Sequence, residues 1–516
     1  MEIDGLGHWL HRRRLRSPGE LAVICGEVSL TYRELADAAD KAAGALASLG
    51  IARGDRVAML GENSPEFIEV MFACFQLGAV FVPVNTRLAP PEMQHVLTDA
   101  AAAVLIHDAE LREKADAVLA LVAAEGGARP AVLGIGAVGS GERAEFEAAL
   151  GAAAPRTEIE PVGLDEPAAI IYTSGTTGTA KGAVLSHRNL TWVAINTVID
   201  YDVVSDDVAL MISPLFHVAS LGMGALPCLL KGATLVVERR FDPARALALI
   251  EKHRVTMMSG VPTTYQLLAD HPDWAKTDLS SLHKLTCGGS AAAPRIIEAY
   301  EKRGLRFSQG YGMTETSPGA TSLSASMTLE KAGSVGLPHF YTHVRIVRED
   351  GEPAEVGEVG EIQISGPNVF GGYLGLDEAT RSAFTSDGWY RSGDLGYLDE
   401  DGYLFIAGRL KDMIISGGEN IYPVEVEARI ATLESVTGVA IIGQPDAEWG
   451  EVPVAVLTLA QGHTMDLESL RAALDGVVAR YKLPKRLVVV DELPRTASGK
   501  VRKFELRERL EREGLL

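Results

Sequence analysis

The sequence contains no Cys-x-x-Cys pair. Its four cysteines, Cys25, Cys74, Cys228 and Cys287, stand far apart, which argues against a disulfide framework or a zinc site and fits a reducing compartment. Long apolar runs are missing too. The longest, residues 71–84, is interrupted by Gln76, Gly78 and Pro83 and falls short of the ~20 residues that cross a bilayer. Glu2 and Asp4 precede the basic run Arg12, Arg13, Arg14 without an apolar stretch, so no secretory signal and no membrane span are expected, and the cytoplasm is the expected compartment. Cationic residues are in deficit, 48 Lys and Arg against 69 Asp and Glu, for a net charge of −21. That speaks against nucleic acid and anionic membranes as partners, because both draw on basic surface. An anionic nucleotide would have to be met by local cations, backbone amides and a divalent metal.

What is present is the composition of a globular protein, 47% apolar and 23% charged over 516 residues, with room for two to four cores at about 150 residues each. Thr31-Tyr32-Arg33-Glu34 reads as a capping box opening a helix whose apolar face runs through Leu35, Ala38, Ala42, Leu46 and Leu49, stopped by Gly50. Residues 55–60 and 80–84 read as short buried strands, and Ser64-Pro65-Glu66 as the start of a second helix. Alternation of this kind favours an α/β architecture with mostly parallel sheets. Residues 100–155 carry little signal. After Glu425 the pattern becomes a helix, strands at 439–442 and 454–459, a helix near 467–481 and a strand at 486–490, a compact α+β module.

The most informative stretch is residues 170–182, IIYTSGTTGTAKG. Ile170, Ile171 and Tyr172 end a buried strand. Gly175 and Gly178 let the backbone turn and present consecutive N–H groups, while Thr173, Ser174, Thr176, Thr177 and Thr179 add hydroxyls ahead of Lys181, a combination suited to a polyphosphate. It is not a Walker A loop, since Ala180 precedes the lysine and Gly182 follows it. YTSGTTGTAKG resembles the phosphate-binding signature of the adenylate-forming superfamily, which holds acyl-CoA synthetases, coumarate-type CoA ligases, luciferases and peptide-synthetase adenylation domains.

Further segments follow in that family's order. Residues 255–263 and 285–291 read as apolar strands ending in small residues, and Gly288, Gly289 and Ser290 leave room for a planar ring at strand ends; the resemblance puts adenine and the near part of an acyl pocket there. In Gln309-Gly310-Tyr311-Gly312-Met313-Thr314-Glu315-Thr316, the Glu315 carboxylate suits Mg²⁺, a hard cation that takes oxygen ligands. Tyr311 offers a face to adenine, Thr314 a hydroxyl to the α-phosphate, and Gly310, Gly312 and Met313 belong to the same nucleotide site. Asp394, in YRSGD, can accept hydrogen bonds from both ribose hydroxyls.

The remaining roles are what the resemblance implies. His217, in SPLFH, would gate the passage between the acyl pocket and the thiol tunnel, with residues 218–224 lining the pocket. Arg409 would contact ribose and phosphate, Lys411 would sit at the hinge, and Gly417 and Gly418 would approach the pantetheine arm. Ile415 stands where some relatives carry a lysine, so no role passes to it. Lys500, in PRTASGK, matches the catalytic lysine. Thr176 joins Glu315 as a metal ligand.

The expected fold is α/β, with a large N-terminal domain of stacked mixed sheets and helices (residues 1–410) and a small mobile α+β domain (residues 411–516). The expected function is an AMP-forming acid–thiol ligase using ATP, Mg²⁺ and coenzyme A on a small-molecule acid. Loading of a carrier-protein thiol, an amine acceptor, activation of nitrite as in ATP-dependent diazotases, and a catalytically silent nucleotide binder remain alternatives, because the shared residues handle ATP rather than the anion. The identity of the acid and the choice between monomer and homodimer stay open at this point.

Overall fold

The computed structural model describes residues 5–136, 145–173, 180–288, 294–416, 419–446, 449–495 and 500–516, and the structural statements below concern those residues. The helices start where side chains can satisfy their free N–H groups. Thr31 accepts from the Glu34 amide while Glu34 Oε2 accepts from the Thr31 amide, opening Tyr32–Ser48. Ser64 accepts from the Phe67 amide to open Pro65–Leu77, and Ser186 exchanges the reciprocal pair with Asn189 to open His187–Asp200. Leu49 lies outside the expected apolar face: it caps the first helix and is exposed, while Tyr32, Ala36 and Ala39 are buried beside Leu35, Ala42 and Leu46.

One seven-stranded sheet has the spatial order Gly372–Tyr373, Lys181–Ser186, Pro167–Thr173, Val80–Pro83, Arg56–Leu60, Val104–Asp108, Ala131–Ile135. Its last five strands are parallel and its first two antiparallel. A thirteen-stranded sheet runs parallel from Leu21–Cys25 through Thr234–Val237, Val208–Met211, Met257–Gly260 and Lys284–Cys287 to Phe307–Tyr311. Beyond Phe307–Tyr311 it turns antiparallel. A single apolar cluster joins Val57 and Phe81 of the first sheet to Ala209 and Leu235 of the second through Leu46, Phe72 and Leu190, so helices fill the space between the sheets. The stacked mixed architecture expected from the sequence is the one observed.

A third sheet, of five strands, is made only from the C-terminal region: Ile414–Ser416, Glu419–Ile421, Val436–Asp446, Gly450–Leu459 and Arg486–Val489. It packs its own apolar clusters against Pro423–Ile430, Leu467–Leu474 and Lys503–Arg512. The expected long helix near 467–481 ends at Leu474, where Asp475 turns to extended backbone (ψ 131°) ahead of Gly476 at φ +73°. Likewise the strand expected over 255–263 is confined to Met257–Gly260, and Pro262 opens the helix Pro262–Ala269.

Candidate active site

Pro167–Thr173 and Lys181–Ser186 pair antiparallel, with Thr173 opposite Lys181. The glycine-rich segment therefore joins two neighbouring strands, and its residues Ser174, Gly175, Thr176, Thr177, Gly178 and Thr179 lie outside the described residues. Its shoulders are fixed from below. Tyr172 donates to Asp99 at 2.6 Å, and His95 Nε2 donates to the Ala180 carbonyl at 2.9 Å. The Lys181 ammonium stands 5.3 Å from the centroid of the Tyr373 ring, within cation–π range.

Tyr373 also reaches the second motif: its hydroxyl donates to Glu315 Oε1 at 2.8 Å. Burial, then the Glu315 charge, pushes the Tyr373 pKa far up, so this phenol stays protonated and donating. Glu315 is only 8% exposed, and among the described residues no cation lies within ion-pair distance of it. A buried carboxylate held by one phenol, with its second oxygen free, is chemically suited to a hard divalent cation.

The backbone around Glu315 is locked by close approach. A Cβ on Gly312 would stand 1.4 Å from the Pro318 carbonyl oxygen, so no larger residue fits. The Thr316 hydroxyl accepts from the Met313 amide at 3.0 Å and donates to the Pro318 carbonyl at 2.9 Å. Asn368, fully buried, donates to the carbonyls of Thr316 at 2.9 Å and Gly319 at 2.6 Å. Tyr311 donates to Asp394 Oδ2 at 2.7 Å, and Arg409 Nε lies 3.2 Å from Asp394 Oδ1. Asp394 and Arg409 are directly opposite in the ladder between Tyr390–Leu398 and Leu404–Arg409. Tyr311, Asp394, Arg409, Thr314 and Glu315 thus gather at the end of Phe307–Tyr311, where the large sheet changes direction. Ligands settle at such switch points because neighbouring strands diverge.

Across from this cluster, residues 219–225 form a π-helix, a widened turn common at functional sites. A Cβ on Gly222 would lie 2.3 Å from the Ser317 carbonyl oxygen, so the π-helix is seated directly on the nucleotide turn. His217 lies one turn before it, its ring 4.8 Å from that of Phe216. Its Nε2 is buried without a partner among the described residues. Burial, reinforced by the Arg87 charge, lowers its pKa to about 4, so the imidazole is neutral at ordinary pH. Behind the π-helix lies a small void of about 20 Å³, room for a water molecule, lined by residues 209–213, Ser220, Gly224 and residues 257–259. Gly288 has no heavy atom within 4 Å of a Cβ built on it, which is the open space expected beside a ligand; Gly289 and Ser290 lie outside the described residues.

Lys500 directly precedes Val501, which forms an antiparallel bridge with Arg495; residues 496–499 lie outside the described residues. Burial first and the Arg409 charge second lower its pKa, against the raising effects of Asp394 and Glu315. Its side chain nonetheless keeps accessible surface, as an ammonium projecting into an open cleft would. The C-terminal region therefore brings this lysine within electrostatic reach of both carboxylates of the body. Lys411 follows Arg409 in the short turn Leu410–Asp412, and Gly417 and Gly418 lie outside the described residues.

Tyr373 and Asn368, absent from the sequence reading, and Tyr390, which it quoted without a role and whose hydroxyl lies 3.5 Å from Met313 Sδ, adjoin the site. A signal existed in GPNVFGGY, residues 366–373, where one asparagine interrupts an apolar run and paired glycines precede a tyrosine.

Residues 10–374 match the family profile described as AMP-binding enzyme, and residues 425–500 that of the AMP-binding enzyme C-terminal domain. The chain is 47% identical to a feruloyl-CoA synthase of Amycolatopsis sp, covering 99% of this chain and all of that protein. It is 40% identical to the indoleacetate–CoA ligase of Aromatoleum aromaticum, over 98% of each. The structure of O-succinylbenzoate coenzyme A synthetase from Bacillus subtilis, in complex with ATP and magnesium ion, superposes with a TM-score of 0.86 at 32% identity, covering 98% of this chain and all of that one.

Proposed function

The chain belongs to the AMP-binding enzyme family, and within it we propose that this enzyme activates an aryl-substituted carboxylic acid. It is an AMP-forming acyl-CoA ligase: the acid is adenylated with ATP and Mg²⁺, and the acyl group then passes to coenzyme A. The aryl assignment is supported by the aromatic acids named in the two relatives.

The roles of individual residues follow from the chemistry. A carboxylate oxygen attacks the α-phosphorus of ATP and pyrophosphate leaves, a transfer that needs positioning and charge stabilisation more than covalent help. Lys181 and the hydroxyls of residues 174–177 would hold the β- and γ-phosphates, and Asp394 with Arg409 the ribose. Glu315 would hold Mg²⁺ with Thr176, and the metal, when bound, neutralises phosphate charge. Lys500 would meet the negative charge developing between the carboxylate and the α-phosphate. The observation that carries this reading is that Lys500 lies within electrostatic reach of Glu315 and Asp394 although more than a hundred residues separate it from either. His217, neutral and unpartnered, would close the site toward the thiol; Gly417 and Gly418 would meet the pantetheine arm.

We assign the body to residues 1–410 and the lid to 411–516, with Lys411 at the pivot; the separate sheet and core of the C-terminal region support that boundary. Among the described residues no helix is long and apolar enough to cross a membrane, and a reducing cytoplasm is proposed from the unpaired cysteines. The partner is a small-molecule acid; the net charge of −21 disfavours nucleic acid.

The test is pyrophosphate release across aryl, aliphatic and inorganic acids, nitrite included, with and without coenzyme A. Coenzyme A-dependent turnover of cinnamic- or arylacetic-type acids is expected. Turnover only with nitrite and an amine, or only with a carrier protein, would replace the aryl acyl-CoA reading.

A further inference from the structure

Asn63 follows the strand Arg56–Leu60 of the seven-stranded sheet, just ahead of the helix Pro65–Leu77, and is 2% exposed. Its side chain reaches across to two strand ends of the thirteen-stranded sheet. Nδ2 donates to the carbonyls of Ser213 at 3.0 Å and Glu238 at 3.1 Å, with the Met211 carbonyl at 3.4 Å, and Oδ1 accepts from the Leu215 amide at 2.7 Å. Met211 ends Val208–Met211 and Glu238 follows the neighbouring strand Thr234–Val237. An amide side chain has two N–H groups and one carbonyl oxygen, so both polar atoms of Asn63 are engaged on these two ends.

The turn it holds is the one that carries His217. The Pro214 carbonyl accepts from the His217 amide at 3.1 Å, and the His217 carbonyl accepts from the amides of Ser220 and Leu221, both at 3.1 Å. The path from Asn63 to the imidazole is therefore short and stiff, running through the Leu215 amide beside a proline whose φ is fixed. Leu215 and Phe216 are buried, so without Asn63 the Leu215 amide would be left unpaired.

We propose that Asn63 is a positioning residue for the second half-reaction: it fixes the backbone at Leu215, and thereby the place of the His217 imidazole on the way to the thiol. The proposal rests on reading His217 as the gate toward coenzyme A. An asparagine that only stitched two sheets together would matter alike to adenylation and to acyl transfer, since one body serves both. One that acts through His217 matters chiefly to the transfer.

The experiment separates the half-reactions in the full-length wild type, Asn63→Ala, Asn63→Asp, His217→Ala and the double variant of Asn63→Ala with His217→Ala. Adenylation is read as ATP–pyrophosphate exchange with a cinnamic-type acid, normalised to the burst of bound adenylate so that unfolded protein does not count. Transfer is read as the single-turnover rate at which coenzyme A consumes that adenylate. Asn63→Ala should lower kcat/KM for coenzyme A by about tenfold to a hundredfold beyond any fall in exchange, the scale on which misplacing a positioned group acts. Asn63→Asp keeps an oxygen for the Leu215 amide but turns a second oxygen on the carbonyls of Ser213 and Glu238. It should lower the melting temperature at least as far as Asn63→Ala while impairing transfer less. The double variant should transfer no more slowly than His217→Ala, because both changes act through one ring. Equal losses in exchange and transfer, transfer and stability ranking the Asn63 variants alike, or losses that multiply in the double variant each overturn the positioning role while leaving the gate in place. If His217→Ala transfers at the wild-type rate, the gate reading fails and the proposal with it. If no cinnamic-type acid is turned over, the aryl reading fails, and the same comparison with a straight-chain acid decides the role of Asn63.

Discussion

Glu315 and Asp394 are held by tyrosine hydroxyls at 2.8 and 2.7 Å, the first beside a turn whose carbonyls are tied to Asn368 and the second on the strand Tyr390–Leu398. A few residues away, across Gly222, the void behind the π-helix is walled by thioethers, small residues and the π-helix itself. The nucleotide side is a polar network in which each carboxylate has one preset orientation. The side proposed to face the acyl group carries methionine side chains, which adapt their torsions to their neighbours. Every turnover presents the same nucleotide, so rigidity there costs nothing in scope, whereas the acid is what distinguishes one such ligase from another, and that surface can be recast without touching the network. Mutations should accordingly abolish chemistry on one side and redirect it on the other.

The largest effect expected is at the point where the lid meets the rigid half. Lys500→Ala should slow ATP–pyrophosphate exchange by roughly 10²–10³, about 3–4 kcal/mol, the scale of losing a transition-state charge donor, with little change in the KM for the acid. Because the cation is the working form and its pKa is held below the ordinary lysine value, the wild-type rate should fall as pH rises through that depressed value, and Lys500→Arg should push the limb higher. An exchange rate indifferent to Lys500→Ala would break the comparison at its root.

Tyr373→Phe removes a hydrogen bond to a carboxylate, worth about 1.5–3 kcal/mol. The affinity of the enzyme–ATP complex for Mn²⁺, followed by electron paramagnetic resonance, should weaken about tenfold or more while acid preference stays as it was. Altered acid preference with intact metal binding would show that the two halves are not separable. Asn368→Ala should leave two buried carbonyls unpaired and lower stability by roughly 2 kcal/mol, seen as an earlier urea midpoint with the acid preference unchanged.

The smallest effect concerns His187, behind both halves. It accepts from the Leu6 amide, and burial lowers its pKa to about 4. The unfolded chain binds this proton below about pH 6.5 and the folded chain resists until about 4, so stability should be flat above that window and fall through it by up to about 1.4 kcal/mol per pH unit. In His187→Leu the urea midpoint should be lower at neutral pH but less sensitive to acid; an unchanged slope would remove His187 from the account.

The rigid half was the more readable in sequence. Tyr311, Glu315 and Asp394 sit in short motifs because turns, close backbone approach and charge impose residue types locally, and Gly312, facing the Pro318 carbonyl, is such a case. Helix starts at Thr31 and Ser64 were legible for the same reason: capping is decided within four residues. Tyr373 was not, since it meets Glu315 only after an intervening run of strands brings Gly372–Tyr373 to the edge of the other sheet. The hairpin geometry of the phosphate-loop shoulders was also hidden, because an apolar strand carries no mark of its partner's direction. On the proposed acyl side, the π-helix at 219–225 has no compositional signature in ASLGMGA.

Arg409 ends the strand Leu404–Arg409 opposite Asp394, and Lys411 follows two residues on in the turn Leu410–Asp412. On the proposed assignment of hinge and sugar site, a bound ribose would gear departure of the nucleotide to the return stroke of the lid. With 2′,3′-dideoxy-ATP the two should slip: pyrophosphate would still appear in a first burst, while AMP-analogue release and thioester formation would lose their common rate constant.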